Sequence, residues 1–600
     1  MNKKIIAFIL ALVLIVTTFA ACGNSKTPGK KNDDELEKSP DGLSIITDDD
    51  LVRAEDVTAI TGATDLDGNV VDKEGITDNN GHKIYSTGQK DSAGLLIYTT
   101  GKVDSKGNIL YTKNQVDSFG QLIYYTGKYD SNGKLVLSPT TEKPDYTTNE
   151  RPSISNQTTT TSTTVGVKTE NKLEINGLNR EFLQFFGGKS TDLFYTSDNC
   201  ADGGFVTVGY SLSYDGDFSG ASKDWAGHGV VVKYAADGSV SWKYMLGGDS
   251  EVSFTDVAEL KDKSVVAVGH TMAKDIDAPL NSQGVSALIV RLDKNGKLIW
   301  MYSFPGDETQ NGEFLQSVDA TPDGGFVVGG KAVSNGGFFK TEEDTIKAFI
   351  FKFDKNCNIK WRKTLEGSMS NTITAISVND DGDIYATCVT ASTDGDFAGI
   401  TYFSSLTKNT VLLKLNKNGK LEWSHYLQGS GNSEYNTVYA TSDGGCVVGG
   451  SFTVKKKADG IYSRTYGKSD GYVIRYNAKG DVCWARILGG SGADYVNAIT
   501  EFNGGFVVVG QTTSADLDFA GEQPGGAEDG FVMVLDEAGK TKVKILLDGE
   551  LTDSATGVCT LEDGSFVVSG WTKSDNSHFK GSKADKMSKC FVTRYSAEIE

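Results

Sequence analysis

The sequence predicts an all-β chain: a small β-meander of short repeats, then a seven-bladed β-propeller closed by an N-terminal strand that completes the last blade. Three observations carry this. First, residues 176–600 hold seven copies of a unit of about sixty residues, five of them marked by Trp242, Trp300, Trp361, Trp423 and Trp484 at gaps of 58, 61, 62 and 61. Second, each copy has four short strand-like runs and no sustained helical period, the pattern of a propeller blade. In the sixth copy the runs are YVNAITEF, GFVVVGQTT, GFVMVLD and KTKVKILL. Third, the seventh copy stops after three runs, at CFVTRYSAEIE, while a lone run, NGLNREFLQFFGG at 176–188, precedes the first copy.

Taken in chain order, residues 1–21 read as a lipoprotein signal peptide. Lys3 and Lys4 form a basic start, and the apolar run Ile5 to Phe19 is short for a membrane span. Ala20, Ala21 and Cys22 resemble the bacterial lipobox, with Phe19 where leucine is usual. That resemblance implies lipidation of Cys22 and a protein held on the extracytoplasmic face of the cell membrane, where more than one acyl chain is needed for stable anchoring. Residues 22–60 are polar and charged, the composition of a flexible tether.

Residues 61–138 repeat every 13 residues. Gly68, Gly81, Gly94, Gly107, Gly120 and Gly133 keep that interval, each three residues after an aspartate, with Tyr85, Tyr98, Tyr111 and Tyr124 four residues after. DSxG supplies turn chemistry and LIYYTGKYD is a strand of β-branched and aromatic residues, so about five antiparallel strands are expected. The pattern resembles short tyrosine–aspartate–glycine repeats of bacterial surface proteins; its expected role is a stalk, with a glycan-binding tyrosine strip as the weaker reading. Residues 139–170 are Thr-, Ser- and Pro-rich, an extended linker and domain boundary.

The propeller then occupies 171–600. Its expected blade-docking positions are Phe182, Trp242, Trp300, Trp361, Trp423 and Trp484, with Val543 at the seventh. The links between first and second strands and between third and fourth are tight turns such as PDGGF and DKNGK. Antiparallel alternation puts both kinds on one face. The long, unequal second-to-third loops and the blade crossovers share the other, where function is expected. Residues 176–188, paired beside Cys590–Tyr595, would close the ring and cover two sheet edges.

The repeat GGSGADYVNAITEFNGGFVVVGQTTSADLDFAG, continued by DGFVMVLDEAGKTKVKILLDG, resembles a bacterial family of extracellular propellers with copies near sixty residues. The likeness covers all of 176–600 and implies the fold, but little chemistry. DKNGKLIW and NKNGKLEW are similar to the repeat of quinoprotein dehydrogenases, whose strand-end tryptophan docks neighbouring blades. That likeness implies an interblade role for the tryptophans; the absent vicinal cysteine pair and the count of seven rather than eight argue against a quinone enzyme.

Net charge −20 with 59 Lys and Arg disfavours nucleic acid. Beyond Cys22, seven cysteines lie without a CxxC pair, so buried thiols are expected, with Cys388, Cys446, Cys483 and Cys590 inside strand-like runs. Three loops carry DxDFxG: Asp215 and Asp217, Asp394 and Asp396, Asp516 and Asp518. Alternating carboxylates match half of a calcium loop, which also needs a bidentate glutamate at position twelve. Ala226, Ser405 and Ala527 stand there, so the stronger expectation is that Asp bonds the loop backbone, Phe plugs the blade and Gly turns; calcium is the weaker reading, and no other cofactor is expected. Tyr214, Trp225, Tyr402, Phe403, Tyr462 and Tyr466 on the long loops are candidates to stack on sugar rings. His228, His270, His425 and His578 sit in different copies, and no local spacing singles out a catalytic pair. The expected function is a monomeric binding module for an extracellular protein or glycan. The alternative is a glycoside hydrolase-like enzyme acting on extracellular polysaccharide at the channel mouth; carboxylates clustered there would favour it.

Overall fold

A computed structural model of the chain describes the backbone of residues 76–77, 83–90, 96–103, 109–116, 122–129 and 135–140, and residues 175–599 apart from 225, 277–283, 305–311, 334–338, 340–344, 399–408, 428–432, 454–464 and 523. Cys22, the tether and the linker lie outside the described residues.

The 13-residue repeats form one antiparallel sheet in sequence order. After Ile76–Thr77, its strands are Lys83–Lys90, Leu96–Val103, Ile109–Val116, Leu122–Tyr129 and Leu135–Thr140. They begin at 83, 96, 109, 122 and 135, so strand and repeat share one period.

Seven four-stranded antiparallel sheets follow. Blades 1 to 6 span 192–247, 252–303, 313–365, 371–427, 433–488 and 494–547; blade 7 combines 553–599 with the closing strand Ile175–Phe186. Second and third strands such as Phe205–Ser211 (FVTVGYS) and His228–Tyr234 (HGVVVKY) are buried throughout. Valines pack both faces there, each contributing roughly 1.5–3 kcal/mol. Outer strands such as Val240–Gly247 are partly exposed. Six of the seven second strands begin at the residue that follows the tight turn in the sequence, Phe205, Val265, Phe326, Ile384, Cys446 and Phe566; that of blade 6 begins one residue earlier than Phe506, at Gly505. The described cysteines, Cys200 to Cys590, are all free thiols, with Cys388, Cys446 and Cys590 buried and Cys483 half-buried.

The closing strand pairs with Lys589–Ile599 from Cys590↔Phe186 to Ile599↔Ile175. Ten register pairs join them, against seven in blade 1 and five in blade 2 between third and outer strands. The expected closure is therefore present, and longer than expected.

Inner strands line a central channel, and each has a register break at the same place. A bulge leaves a backbone group without its ladder partner. The bulged residue of one blade answers the next: Thr255 donates to the Leu315 carbonyl at 2.9 Å, Asn436 to Val496 at 2.8 Å, Asn497 to Ala555 at 2.9 Å and Thr556 to Phe194 at 2.8 Å.

The docking positions act on the turn face. Trp242 Nε1 donates to the Lys294 carbonyl at 3.0 Å, Trp361 to Lys417 at 3.1 Å and Trp484 to Glu537 at 2.9 Å, each in the outer turn of the next blade. Gly296 in that turn has φ 79°, and a Cβ there would fall 2.6 Å from the Trp242 ring. Phe182 lies against Gly238 of blade 1 in the same way. Opposite each ring in register stands a third-strand cation: Lys233↔Trp242, Arg291↔Trp300, Lys352↔Trp361, Lys414↔Trp423, Arg475↔Trp484 and Arg594↔Phe182. These cations are buried and reach turn carboxylates: Lys233–Asp202 at 2.6 Å, Arg291–Asp262 at 2.7 Å, Lys352–Asp323 at 2.8 Å, Lys414–Asp383 at 3.0 Å, Arg475–Asp443 at 2.5 Å, and Arg594–Asp563. Arg291 also donates to the Lys355 carbonyl of the next blade at 2.7 Å, as Arg594 does to Ala236.

Blade 6 alone replaces the pair, with Val534↔Val543. Two turns explain it. The third and fourth strands of blade 7 come from different ends of the propeller and share no turn, so an indole N–H from blade 6 would have no carbonyl to meet; and the first-to-second turn of blade 6 holds Asn503 where blade 1 has Asp202, so a third-strand cation would have no carboxylate. A buried cation without a partner is costly. Instead Leu178 and Ala597, on the extended part of the closing pair, pack with Val543 and Ile545.

Candidate functional site: the loop face and the channel

On the loop face, DxDF forms a single 3-10 turn after the second strand: Gly216–Phe218, Gly395–Phe397 and Leu517–Phe519. Phe218, Phe397 and Phe519 are buried, as expected. The aspartates do something not expected from sequence: they clamp the crossover that enters their own blade. Asp215 accepts from Lys189 N at 2.8 Å and Asp217 from Gly187 N at 2.8 Å. Asp394 accepts from Ser368 N at 2.8 Å and Asp396 from Glu366 N at 2.9 Å. Asp516 accepts from Ser491 N at 2.7 Å and Asp518 from Gly489 N at 2.9 Å. The amide of Lys189 holds the Asp215 carboxyl below its ordinary range, as that of Ser368 does for Asp394. Among the described residues no group of three or more acid, histidine or cysteine side chains is placed to hold a metal ion.

A second set of acids roots the crossovers. Asp192 accepts from Gly188 N at 2.7 Å, Ser211 at 2.6 Å and Ser213 at 3.0 Å; Asp494 repeats this with Gly490 N at 2.9 Å, Thr512, and Ser514 at 2.8 Å. Burial pushes both carboxyls up to about 6 despite these donors.

The channel encloses a cavity of about 420 Å³. Asp198, Asp256 and Asp319, on successive blades, line it. Each reaches the next blade: Asp198 accepts from Glu259 N at 3.1 Å, Asp256 from Val318 N at 2.9 Å and Ser317 Oγ at 2.7 Å, and Asp319 from Val378 N at 2.7 Å. Burial raises Asp198 to about 7, Asp256 to about 6 and Asp319 to about 8, with mutual repulsion adding to Asp198 and Asp319. Sequence spacing did not reveal these acids, because their partners lie about sixty residues on, in another blade.

Of the candidate stacking aromatics, Trp225, Tyr402, Phe403 and Tyr462 lie outside the described residues. Tyr214 is half-buried near His228, with ring centroids 6.5 Å apart. Tyr466 is half-buried against the blade 5 core. The histidines do not converge on the channel, none being among its lining residues. His228 is buried in a third strand, and His270 is 3.5 Å from Glu251. His425 stacks on Tyr476, and His578 bonds Asp548.

No protein-family model matches the chain. Over 222 residues, 35% of the chain, it is 27% identical to the regulatory protein FlaEY of Caulobacter vibrioides, and the match spans 22% of that protein. Similar solved structures include Sqt1 from Chaetomium thermophilum (12% identity, TM-score 0.36, covering 70% of this chain and 100% of that one). YCF48 bound to a D1 peptide is 10% identical, with TM-score 0.36 and cover of 72% and 100%. A protein of unknown function from Bacteroides caccae is 15% identical, with TM-score 0.29 and cover of 53% and 89%. These scores are low, and the blade count rests on the strand pairing of this chain.

Proposed function

We propose that the chain is a lipoprotein, anchored through Cys22 on the extracytoplasmic face of the cell membrane, whose propeller is a binding module for an envelope protein or glycan. The observation that carries this is the division of labour between faces. The turn face repeats one set of ring-building contacts, while the loop face varies in length and chemistry from blade to blade. The closing strand runs from the turn face at Ile175 to the loop face at Phe186, so the described N-terminal end of the propeller lies on the turn face. Membership of the extracellular propeller family and a stalk role for the 13-residue repeats belong to the same reading.

A second reading, an enzyme acting on extracellular polysaccharide, is favoured by Asp198 and Asp319, whose carboxyls titrate near neutrality inside the channel. Against it, each of these acids serves the neighbouring blade. A glycan array combined with a reducing-end release assay on the detergent-solubilised full chain separates the two. Capture without release is expected; release of product overturns the binding-only reading. For the anchor, Cys22→Ser is expected to move the protein from the membrane to the soluble fraction, and retention in the membrane contradicts it.

A further inference from the structure

Two seams of the loop face differ in charge at equivalent positions. Between blades 7 and 1, the first residue of a third strand, Lys589, meets the first residue of the next first strand, Asp192. A Cβ on Gly187 of the crossover would lie 2.8 Å from Asp192 Oδ2 and 3.3 Å from Lys589 Nζ, so carboxylate and ammonium face one point. Between blades 5 and 6 the same positions hold Asp470 and Asp494. A Cβ on Gly489 would lie 2.7 Å from Asp470 Oδ1 and 2.7 Å from Asp494 Oδ2, so two carboxylates face one point. Both residues are 0% exposed. Asp494 is answered: Oδ2 accepts from Gly490 N at 2.9 Å and Ser514 Oγ at 2.8 Å, and Oδ1 from Thr512. Asp470 Oδ2 accepts from Tyr466 N at 2.6 Å, but among the described residues its Oδ1 has no donor. A buried acceptor without a donor is costly, and facing carboxylates resist ionising together. The other charged groups nearby do not relieve this. Asp518 adds repulsion and is itself paired with Arg486, Lys468 is exposed, and burial keeps the Tyr495 phenol neutral. Burial, with repulsion from Asp494 and Asp518, pushes the Asp470 carboxyl up to about 7. At the next seam Asp529 and Asp553 repeat the pair, but Asp529 accepts from Gly549 N at 3.2 Å on Oδ1 and from Gly526 N at 3.4 Å on Oδ2, so neither oxygen is left over. Above Asp470 and Asp494 the backbone is stitched across the seam. Lys468 N donates to the Gly492 carbonyl at 2.7 Å, Asp494 N to the Ser469 carbonyl at 2.8 Å, and Ser469 bridges Ala493 in parallel.

We propose that this stitched seam is a latch closed by a proton, which Asp470 carries on Oδ1 and donates to Asp494 Oδ2, in the place that the Lys589 ammonium fills at the sister seam. Asp494 has donors on both oxygens, so the proton belongs to Asp470. Its loss to water leaves two buried carboxylates facing each other and frees the end of the blade 5 loop, 466–469, from the crossover 489–493. The folded value of Asp470 lies above the roughly 3.9 of an unfolded aspartate. Its contribution is therefore full below about pH 4 and is lost as pH rises through about 7. The loop face of blades 5 and 6 is held in mildly acidic surroundings and released in mildly alkaline ones. The inference goes beyond the binding-module reading and stands without it. Tyr466, a candidate stacking aromatic, gives its amide to Asp470, so any ligand taken by that loop would be captured in a pH-dependent way.

The test is amide hydrogen exchange of the full chain in detergent at pH 5.5, 7 and 8.5, corrected for the intrinsic rate at each pH and read on peptides covering 466–470 and 489–494. Protection there is expected to fall about tenfold or more from the lowest pH to the highest, while the third strand of blade 3, Lys347–Phe353, keeps its protection. Asp470→Asn sets a permanent N–H at the orphan position and is expected to keep protection high at every pH. Asp494→Asn turns an amide against the donors of Gly490, Ser514 or Thr512 and is expected to lower protection at every pH. Protection that does not change with pH, a fall as large in the blade 3 strand, or a fall as steep in Asp470→Asn overturns the proposal. Equal protection in the two variants overturns the assignment of the proton to Asp470. Loss of protection on adding EDTA at pH 5.5 also overturns the proposal, since a divalent cation would then hold the two carboxylates.

Discussion

On the turn face, Lys233, Arg291, Lys352, Lys414, Arg475 and Arg594 repeat one arrangement: a buried cation, a turn carboxylate, and an aromatic ring set on the next blade. On the loop face, the corresponding clamps drift. Blade 1 uses Asp215 and Asp217; blade 7 places Asn576 on Glu550 N at 3.0 Å and His578 on Asp548. A ring of seven blades closes only if every junction has nearly the same geometry, which holds the turn face to one solution. The crossover clamps need only acceptors for two amides, so the loops beyond them are free to specialise. Where the turn face does change, at Val534 and Val543, Asn503 in the turn of blade 6 and the missing turn of blade 7 account for it.

Breaking the closing strand is the harshest way to test this division. Deletion of 176–188 exposes the edge of Lys589–Ile599 and strips Phe182 from Gly238. Loss of the cooperative unfolding transition is expected by calorimetry; an unchanged Tm would refute closure. Next, inserting the missing cation, Val534→Lys, buries a charge with no turn carboxylate to meet and is expected to cost about 3 kcal/mol or more by denaturant titration. Its mirror, Asp323→Ala, leaves Lys352 buried. About 2 kcal/mol is expected, below the figure for a fully buried pair because Asp323 is itself 63% exposed.

Acid titration sharpens the comparison between channel and turn face. Asp198, Asp256 and Asp319 have folded values above that of an unfolded aspartate, near 3.9. Their protonated forms favour the fold, so this contribution is full below about pH 4 and is lost as pH rises through about 6 to about 8. Asp323 behaves oppositely. Burial pulls it up, but Lys352, Thr321 and the Gly325 amide hold it at about 2, so its contribution is full above about pH 4 and lost as pH falls through about 2. Tm is therefore expected to fall by a few degrees between pH 5 and pH 8.5, and Asp319→Asn to flatten that slope. The smallest effects belong to the loop face. Asn576→Ala removes one acceptor and is expected to cost about 1 kcal/mol. Chelation with EDTA is expected to leave Tm unchanged, because the DxDF carboxylates are occupied by backbone amides.

Much of the ring was legible because its signals are local and periodic. The tryptophans, the post-turn residues Phe205 to Phe566 and the 13-residue glycines fall within single strands and turns. The orphan run at 176–188 was legible as the fourth strand of a copy that lacked one. The third-strand cations were missed because a single Lys or Arg in an apolar run, such as Arg291 in SALIVRL, shows nothing of its turn carboxylate 29 residues earlier. The DxDF acids were recognised as loop builders, but their partners are backbone amides 25–30 residues away, which no side-chain pattern marks. The Val534–Val543 exception was visible only in part. Val543 stood out among tryptophans, but its reason lies in a turn that blade 7 does not have.

Closure by the N-terminal strand completes the ring, and one cross-link tests it. Asn179 and Ser596 are register partners near the turn face, exposed and half-buried respectively. In Asn179→Cys/Ser596→Cys, mild oxidation is expected to give an intramolecular disulfide joining the two peptides, read by mass spectrometry, with a raised Tm. No disulfide, or one formed only between two copies of the chain, would contradict the account.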